Sequence, residues 1–224
     1  MPLLVDGQLC GAVALEVEHR EEAELKKLLT QLEWGSALLE NLVRRRTFSP
    51  RDRLVTVLEL LATSLHHRRF QASATSVATE LAGILGCERV SIGFLKRQHV
   101  RLHALSHSAS FGKKANGVRA IEAAMDEAVD QEASVVFPPV EGGPFQVIRE
   151  HEALCTAHGA QSVCTVPFSE GHQVLGAMVM ERPDGEPFDR ETVAFCEHAA
   201  ALLGPVLDVK RRDDRWLIHK SWDS

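Results

Sequence analysis

The stretch that decides the fold is Ser162–Glu181, which reads SVCTVPFSEGHQVLGAMVME. It contains two largely apolar segments, Ser162–Phe168 and Gln173–Glu181, on either side of the polar residues Ser169–His172. A short polar turn between two such segments predicts a β-hairpin.

Two further strands and a shorter one precede the hairpin. Arg89–Leu95 (RVSIGFL) alternates between apolar and other residues, which is typical of a strand. Val100–Ser106 can pair with it across the polar turn Lys96–His99. Ser134–Phe137 is a short strand that two prolines terminate. The apolar positions on one face of the first strand are Val90, Ile92 and Phe94.

Most of the remaining sequence has apolar residues at helical spacing, which predicts helices. Gly86 and Gly159 are predicted to end two of these helices, and Gly204-Pro205 is predicted to kink or break the last one. This order of elements predicts an α+β fold, in which an antiparallel sheet carries helices on its faces. The predicted helices are Leu54–Leu65, Ala72–Leu85, Val118–Gln131, Phe145–His158 and a helix from about Asp189 onward.

The first 46 residues repeat part of this pattern. Asp6-Gly7 separates two apolar runs, which predicts a hairpin, and a long helix then ends in Arg44–Arg46. Pro2–Glu16 aligns without a gap on Pro167–Glu181, with matching proline, glutamine, glycine, alanine and glutamate. We expect residues 1–46 to be the tail of a second copy, since one hairpin and one helix cannot bury their apolar faces alone. The alternative is that Met1 is the true start and the hairpin caps the neighbouring fold.

Residues 54–212, which follow a linker at 47–53, resemble a GAF domain. The resemblance is carried by Val77–Leu95, Ser162–Glu181 and Pro187–Ala200, and residues 1–46 resemble the last third of such a domain. It implies a six-stranded antiparallel sheet with helices on both faces, as in GAF and PAS-like folds. It also implies terminal helices that form a homodimer, and a ligand pocket between the sheet, helix Phe145–His158 and loop Ser106–Gly117.

Candidate ligand-binding residues lie around that implied pocket. His151, Cys155 and His158 share one helical face, but they do not make a complete metal-ligand set, so we predict no metal site. No nucleophile elbow is present, and we predict no catalytic residues. The full set of predicted ligand-binding residues is His103, Ser106, His107, Phe137, His151, Cys155, His158 and Cys164.

The composition of the chain indicates which partners and which cellular location to expect. The net charge is −6 and no basic face is evident, which argues against nucleic-acid binding. The five cysteines are scattered, and no signal peptide or long apolar run is present, so we expect a cytoplasmic location. The tail 213–224 contains Trp216, Leu217, Ile218 and Trp222, which indicates a helix continuing towards a signalling or membrane-attached domain in a longer parent chain.

Three functional hypotheses stay open on the sequence. The first is a non-enzymatic regulatory domain, which senses an unidentified small molecule or a redox change at Cys155 or Cys164 and passes a conformational signal through its terminal helices to an output domain. The second is a dimerisation or interaction module without a ligand. The third is an enzyme similar to the GAF proteins that reduce methionine sulfoxide.

Overall fold

The computed structural model describes residues 2–5, 8–14, 24–29, 31–32, 35–36, 50–107, 115–140, 143–183 and 186–220. These residues belong to two compact units, Met1–Val55 and Thr56–Ser224. Four predicted features lie outside the described residues: residues 47–49 of the predicted linker, the predicted ligand loop between residues 108 and 114, the arginines at 44–46, and the last four residues of the tail. The rest of the predicted linker, residues 50–53, is helical.

The first unit contains the predicted N-terminal hairpin. Strand β1 (Pro2–Val5) pairs antiparallel with β2 (Gln8–Ala12), and residues 24–29, 31–32 and 35–36 are helical. The two strands are joined by Asp6-Gly7, the two-residue signal from which the hairpin was predicted.

The second unit contains five strands and four complete helices among the described residues, together with most of α1 (Pro50–His66), which begins in the first unit. The complete helices are α2 (Phe70–Leu85), α3 (Ala115–Asp130), α4 (Arg149–His158) and α5 (Arg190–Lys220). The strands are β3 (Arg89–Lys96), β4 (His99–Leu105), β5 (Val135–Phe137), β6 (Ser162–Glu170) and β7 (Gln173–Arg182). Predicted end signals are confirmed, because Gly86 and Gly159 adopt positive φ at the ends of α2 and α4.

The sheet of this unit has five strands in the order β4-β3-β7-β6-β5, and each neighbouring pair is antiparallel. The prediction of six strands is therefore wrong. At the outer edge of β5, the side-chain amide of Gln146 takes the place of a sixth strand. Its Nε2 donates to the Ser134 carbonyl over 2.5 Å, and its Oε1 accepts from the Val136 amide over 3.4 Å.

A second glutamine fixes the segment that precedes α4. Gln131 binds both backbone groups of Val147, donating over 2.9 Å and accepting over 2.8 Å. Because these side-chain bonds hold the segment in a non-helical path, α4 begins at Arg149 and not at the predicted Phe145. Phe145 itself is 96% exposed.

Strand alternation gives the sheet two different faces. Val90, Ile92 and Phe94 point towards α1, α2 and α5 and form the larger apolar core, which we call the α2–α5 face. The intervening residues of β3 point to the opposite side, which α3 and α4 cover; we call this the α3–α4 face. The predicted facing of β3 is thus confirmed, and each face has its own apolar cluster.

Gly204-Pro205 was predicted to kink or break the last helix. Helix α5 runs through Pro205 without a break, so the second of these outcomes does not occur. Proline removes one backbone hydrogen bond, but burial of the neighbouring residues Leu203 and Leu207 offsets that loss. Asp189 caps the start of the helix, since its Oδ1 accepts from the Thr192 amide over 2.7 Å.

By length and composition alone, part of α5 could cross a membrane. Arg190–Asp214 contains an 18-residue window with a mean hydropathy of 1.3, and 44% of that window is buried inside the protein. Phe195, Ala199 and Leu203 lie in the core of the sheet domain. The apolar character of this helix is therefore accounted for by its packing on the sheet.

Two helical glycines give a matched test of this packing. At Gly83 a Cβ atom would have open space, whereas at Gly204 it would collide with the Phe168 ring. We expect Gly83→Ala to raise the free energy of unfolding by about 0.5–1 kcal/mol through helix propensity. Gly204→Ala should lower it by about 1–3 kcal/mol through overpacking. Urea denaturation of both variants measures the difference, and equal effects would contradict the close contact at Phe168.

Candidate functional site

The α3–α4 face is mostly filled by apolar side chains. Met125 lies so close to Gly93 that a Cβ atom on Gly93 would collide with its sulfur and with Val100. A glycine at this position of β3 therefore lets α3 approach the sheet closely. Other buried members of this cluster are Ile121, Ala124, Leu154, Val163, Ala177 and Val179. Within this apolar layer lie two buried polar clusters.

The first polar cluster is Glu127–His151–Thr165. His151 is fully buried, and its Nδ1 donates to Glu127 Oε2 over 2.6 Å. Thr165 Oγ1 donates to His151 Nε2 over 2.6 Å, because a neutral imidazole with a proton on Nδ1 accepts at Nε2. Glu127 also accepts from the amides of Glu150 and His151 at the start of α4. One buried imidazole thus joins α3, α4 and β6.

Burial lowers the pKa of His151, while the hydrogen bond and charge of Glu127 oppose the shift. The order carboxylate, imidazole, hydroxyl resembles a catalytic triad. The polar side-chain atoms of His151 and Thr165, however, are already hydrogen-bonded within the cluster, so none of them is left to bind a substrate. The cluster acts as a structural connection between the two helices and the sheet.

The second polar cluster is Arg89–Glu181–His158. The carboxylate of Glu181 is 1% exposed, and its Oε2 accepts from Arg89 Nη1 over 2.9 Å and from His158 Nδ1 over 2.7 Å. Glu181 Oε1 is buried and accepts no hydrogen bond within the described part of the chain. An acceptor buried in this way costs about 1–3 kcal/mol unless something donates to it. Glu181 Oε1 is therefore the atom on this face that is best suited to receive a ligand.

Ser91 lies on the strand next to Glu181. It pairs with Val179, two residues before Glu181, so both side chains are on the α3–α4 face. Its hydroxyl is also buried, and among the residues described here it makes no hydrogen bond. Two unsatisfied polar groups on adjacent strands define a small polar spot beside Cys155 and His158.

The structure divides the predicted site residues between the two faces. His151, Cys155, His158 and Phe137 lie on the α3–α4 face, as the implied pocket requires. Cys164 belongs to the α2–α5 face. A direct redox pair between Cys155 and Cys164 is therefore not favoured, since the sheet separates the two thiols.

His103 also lies on the α2–α5 face. Its ring contacts Phe70 and Phe94 edge-on, with centroids 5.9 and 5.5 Å away, and its Nδ1 donates to the Arg101 carbonyl over 2.7 Å. Burial is the main cause of its lowered pKa, and the charge of Arg211 adds to it. His103 thus contributes to an aromatic cluster rather than to the polar spot near Glu181.

Ser106 and His107 follow the end of β4. Ser106 binds the backbone of Val90 twice: its Oγ accepts from the Val90 amide over 2.9 Å, and its own amide donates to the Val90 carbonyl over 2.8 Å. These bonds hold the chain against β3 beyond the last strand residue. His107 is exposed in a turn, with a positive φ of 52°.

Four cysteines are buried thiols: Cys87, Cys155, Cys164 and Cys196. Burial raises the pKa of Cys155 to about 11, with a further contribution from Glu181, and the pKa of Cys87 to about 12. Burial also raises the pKa of Cys164 and of Cys196. A thiol reacts as its thiolate, so these side chains are poor nucleophiles. Within the described residues, no group of three or more His, Cys, Asp or Glu side chains is arranged to hold a metal ion.

A groove of about 360 Å³ lies elsewhere, between the segment that precedes α4 and the start of α5. Ser134 donates to Glu197 Oε1 over 2.7 Å on its wall. The groove is lined by Val136, Pro139, Val140, Gln146, Arg190 and Val193, among others. Glu181, His158 and Cys155 are not among its lining residues, so the groove is separate from the polar spot.

The sequence interpretation missed Glu127, Thr165, Arg89 and Glu181. A usable signal existed for Glu181, because a charged residue at the end of the apolar run Gln173–Glu181 has the same inward register as Ala177 and Val179. Glu127 gave no such signal, since an acidic residue on an amphipathic helix is usually exposed to solvent.

The family model that describes the GAF domain matches residues 69–207. This chain belongs to the GAF family. GAF domains are commonly sensory or regulatory, and the resemblance inferred from the sequence is confirmed for this part of the chain. The match covers α2 to the middle of α5, and so includes both polar clusters.

Solved GAF structures share the fold. The GAF domain of an Acinetobacter phosphoenolpyruvate-protein phosphotransferase superposes with a TM-score of 0.56 at 16% identity, over 75% of this chain and 99% of that one. Free methionine-R-sulfoxide reductase from Neisseria meningitidis gives 0.53 at 13% identity, over 75% and 96%. The phycocyanobilin-bound GAF domain of a cyanobacterial phytochrome gives 0.51 at 14%, over 73% and 93%. Among curated protein sequences, none matches this chain.

The lowered pKa of His151 and His103 predicts a pH-dependent stability. Below the ordinary histidine value of 6.5, the unfolded chain binds more protons at these positions than the folded chain does. The free energy of unfolding should therefore be highest above pH 6.5 and fall as the pH drops below it. Chemical denaturation at a series of pH values measures this slope.

Two variants test the cause of the slope. His151→Gln and His103→Gln should each make the slope shallower, although both should lower stability at neutral pH. His172→Gln, in the exposed turn between β6 and β7, is the control for loss of an imidazole. An unchanged slope in both buried-site variants would show that other groups cause the pH dependence.

Proposed function

We propose that this GAF domain is a regulatory sensing domain that binds a small polar molecule on its α3–α4 face. The observation that supports the proposal is the buried oxygen Glu181 Oε1, which accepts no hydrogen bond in the described residues. Leaving such an acceptor unsatisfied destabilises the fold, and a ligand that donates to it recovers that free energy. Few but well-placed polar groups in an apolar surrounding are typical of small-molecule sites.

The charges around Glu181 indicate the chemistry of the ligand. Arg89 already neutralises the carboxylate, so a ligand does not need a positive charge to be accommodated. Glu181 Oε1 requires a donor, whereas the Ser91 hydroxyl can either donate or accept. A neutral amide group satisfies both, because its N–H can donate to Glu181 and its carbonyl can accept from Ser91. We therefore propose an amide-bearing metabolite as the class of ligand.

The residue after Glu181 connects the polar spot to the terminal helices. Arg182 donates to the Leu85 carbonyl at the end of α2 over 2.9 and 3.1 Å, and its guanidinium lies 4.2 Å from the centre of the Phe188 ring. Phe188 is buried just before α5 begins. A shift of β7 on ligand binding would thus reach both α2 and α5.

The far end of α5 is joined to the connection between α1 and α2. Lys210 Nζ donates to the His67 carbonyl over 2.6 Å, and Asp214 Oδ2 accepts from the Phe70 amide at the start of α2 over 2.7 Å. Both contacts satisfy backbone groups near helix ends and have the sign that the helix dipole favours. We propose that these contacts transmit the ligand signal to whatever follows α5.

A second candidate function is dimerisation, which can also accompany sensing. Leu58 and Leu65 on α1 are 53% and 60% exposed, and Leu202 and Val209 on α5 are 48% and 52% exposed. Each pair is spaced by seven residues, so each forms a stripe along one side of its helix. Two such stripes support the proposal of a homodimer in which the terminal helices pack together.

We also propose a non-enzymatic role and a cytoplasmic location, and the cysteines bear on both. The raised pKa values of Cys155 and Cys164 argue against sulfoxide reduction and against redox sensing at these residues, so we propose a non-enzymatic role. Cys87, Cys155, Cys164 and Cys196 are free thiols, which supports the proposal of a cytoplasmic location.

Ligand binding can be tested by thermal unfolding with a panel of primary amides, including acetamide, nicotinamide and glutamine. A compound that binds should raise the midpoint by several degrees, since a 100-fold excess over Kd adds about 2.7 kcal/mol. Glu181→Gln and Ser91→Ala should each abolish the rise. Glu170→Gln, an exposed carboxylate on β6, is the matched control and should retain it. A rise that persists in Glu181→Gln would place the ligand elsewhere.

Dimerisation can be tested by light scattering with size-exclusion chromatography. Leu58→Glu and Leu202→Glu should convert a dimer into a monomer, because each places a charge in the apolar stripe. Phe145→Glu is the control, as it changes an exposed apolar residue that lies on neither helix. A wild-type chain that is already monomeric at micromolar concentration would rule out this interface.

A further inference from the structure

The N-terminal hairpin has the same pairing as the central hairpin of the sheet. Under the ungapped alignment of Pro2–Glu16 with Pro167–Glu181, every paired position of β1 and β2 corresponds to a paired position of β6 and β7. Both hairpins have a two-residue loop. The pairs in the first are Pro2–Ala12, Leu3–Gly11, Leu4–Leu9 and Val5–Gln8, and those in the second are Pro167–Ala177, Phe168–Gly176, Ser169–Val174 and Glu170–Gln173.

The irregularity in the two hairpins is also the same. The register shifts between Leu3 and Leu4 in one, and between Phe168 and Ser169 in the other, which are equivalent positions. A bulge is not required by a two-residue loop, and bulges are usually specific features of a fold. The two hairpins therefore share their pairing register, the position of the bulge and the loop length. These common features indicate that β1–β2 is structurally equivalent to β6–β7.

Gly176 shows that the hairpin β6–β7 lets a neighbouring strand approach closely. A Cβ atom at this position would collide with the carbonyl oxygen of Gly93 and approach the Cα atom of Phe94, both in β3. Glycine is needed at this position because β3 passes very close to the side of β7 that faces away from β6. Gly11 occupies the equivalent position in β2. The glycine in β2 thus marks an edge that can accommodate an equally close strand.

We propose that the outer edge of β2 is a docking edge for an antiparallel strand with the chemistry of β3. Among the described residues, the strand that pairs with β2 is β1, and a two-stranded hairpin alone is only marginally stable. The partner strand is apolar at alternate positions and has glycine opposite Ala12, as Gly93 lies opposite Ala177. Main-chain hydrogen bonds provide the affinity, as in other cases of strand addition.

The chain's own β3 cannot be this partner while the sheet is intact. Its two edges are already paired with β4 and β7. The strand must come from another GAF-like unit, in which the same apolar face would be completed. The hairpin β1–β2 then completes the sheet of that unit, as β6–β7 does in this one.

The equivalence of the hairpins can be tested by transplantation. We would replace Phe168–Leu175 in the full chain by the sequence of Leu3–Cys10 and compare it with Phe168→Leu alone, which reproduces the main loss of core volume. The transplant should unfold cooperatively, with a midpoint within a few degrees of the control. A chain that fails to fold, while the control folds, would refute the equivalence.

The docking edge can be tested with a labelled peptide of the β3 sequence, RVSIGFLK. Fluorescence anisotropy should show saturable binding to the full chain and no binding of a peptide with proline in place of the isoleucine. Gly11→Val should weaken binding by at least about tenfold, equal to about 1.4 kcal/mol. Ala14→Val, in an exposed position just after β2, should bind as the wild type does. Absence of binding to the wild type, or binding indifferent to Gly11→Val, would overturn the proposal.

Discussion

The pairing of β3 with β7 at the centre of the sheet controls the rest of this structure. Phe94 lies opposite Gly176 and Arg89 lies opposite Glu181 in the same register. A shift of β7 by one residue against β3 would turn Glu181 to the α2–α5 face, away from Arg89, and bring a side chain into the space that Gly176 leaves open. Close contact at the glycine therefore fixes both the apolar core and the position of the buried ion pair.

The two faces of the sheet are stabilised by different kinds of interaction. On the α2–α5 face, Phe94 contacts Phe70, Phe168 and His103 edge-on, and Arg211 lies 4.7 Å from the centre of its ring. This face joins the terminal helices to the strands through apolar area and aromatic geometry. The α3–α4 face instead contains carboxylates and imidazoles whose burial is only partly compensated. The buried polar groups that we propose to bind a ligand therefore lie on the α3–α4 face.

Local elements were largely predictable because their signals lie in a few adjacent residues. The alternation in β3, the glycine ends of α2 and α4, and the cap at Asp189 all follow from nearest-neighbour stereochemistry. The missing sixth strand was not predictable, because the edge of β5 is closed by the Gln146 side chain from a separate segment. Continuity of α5 through Pro205 likewise depends on packing against the sheet.

The sequence by itself determined the family, the order of elements and the match between the two hairpins. It also identified His151 and His158 as residues of one helical face, since their spacing places them together. Only the tertiary structure decided that His103 and Cys164 lie on the other face, and that Glu127, Arg89 and Glu181 are the buried partners. The physical reason is that partners such as Arg89 and Glu181 are far apart in the chain and meet only through strand register, which no local pattern specifies.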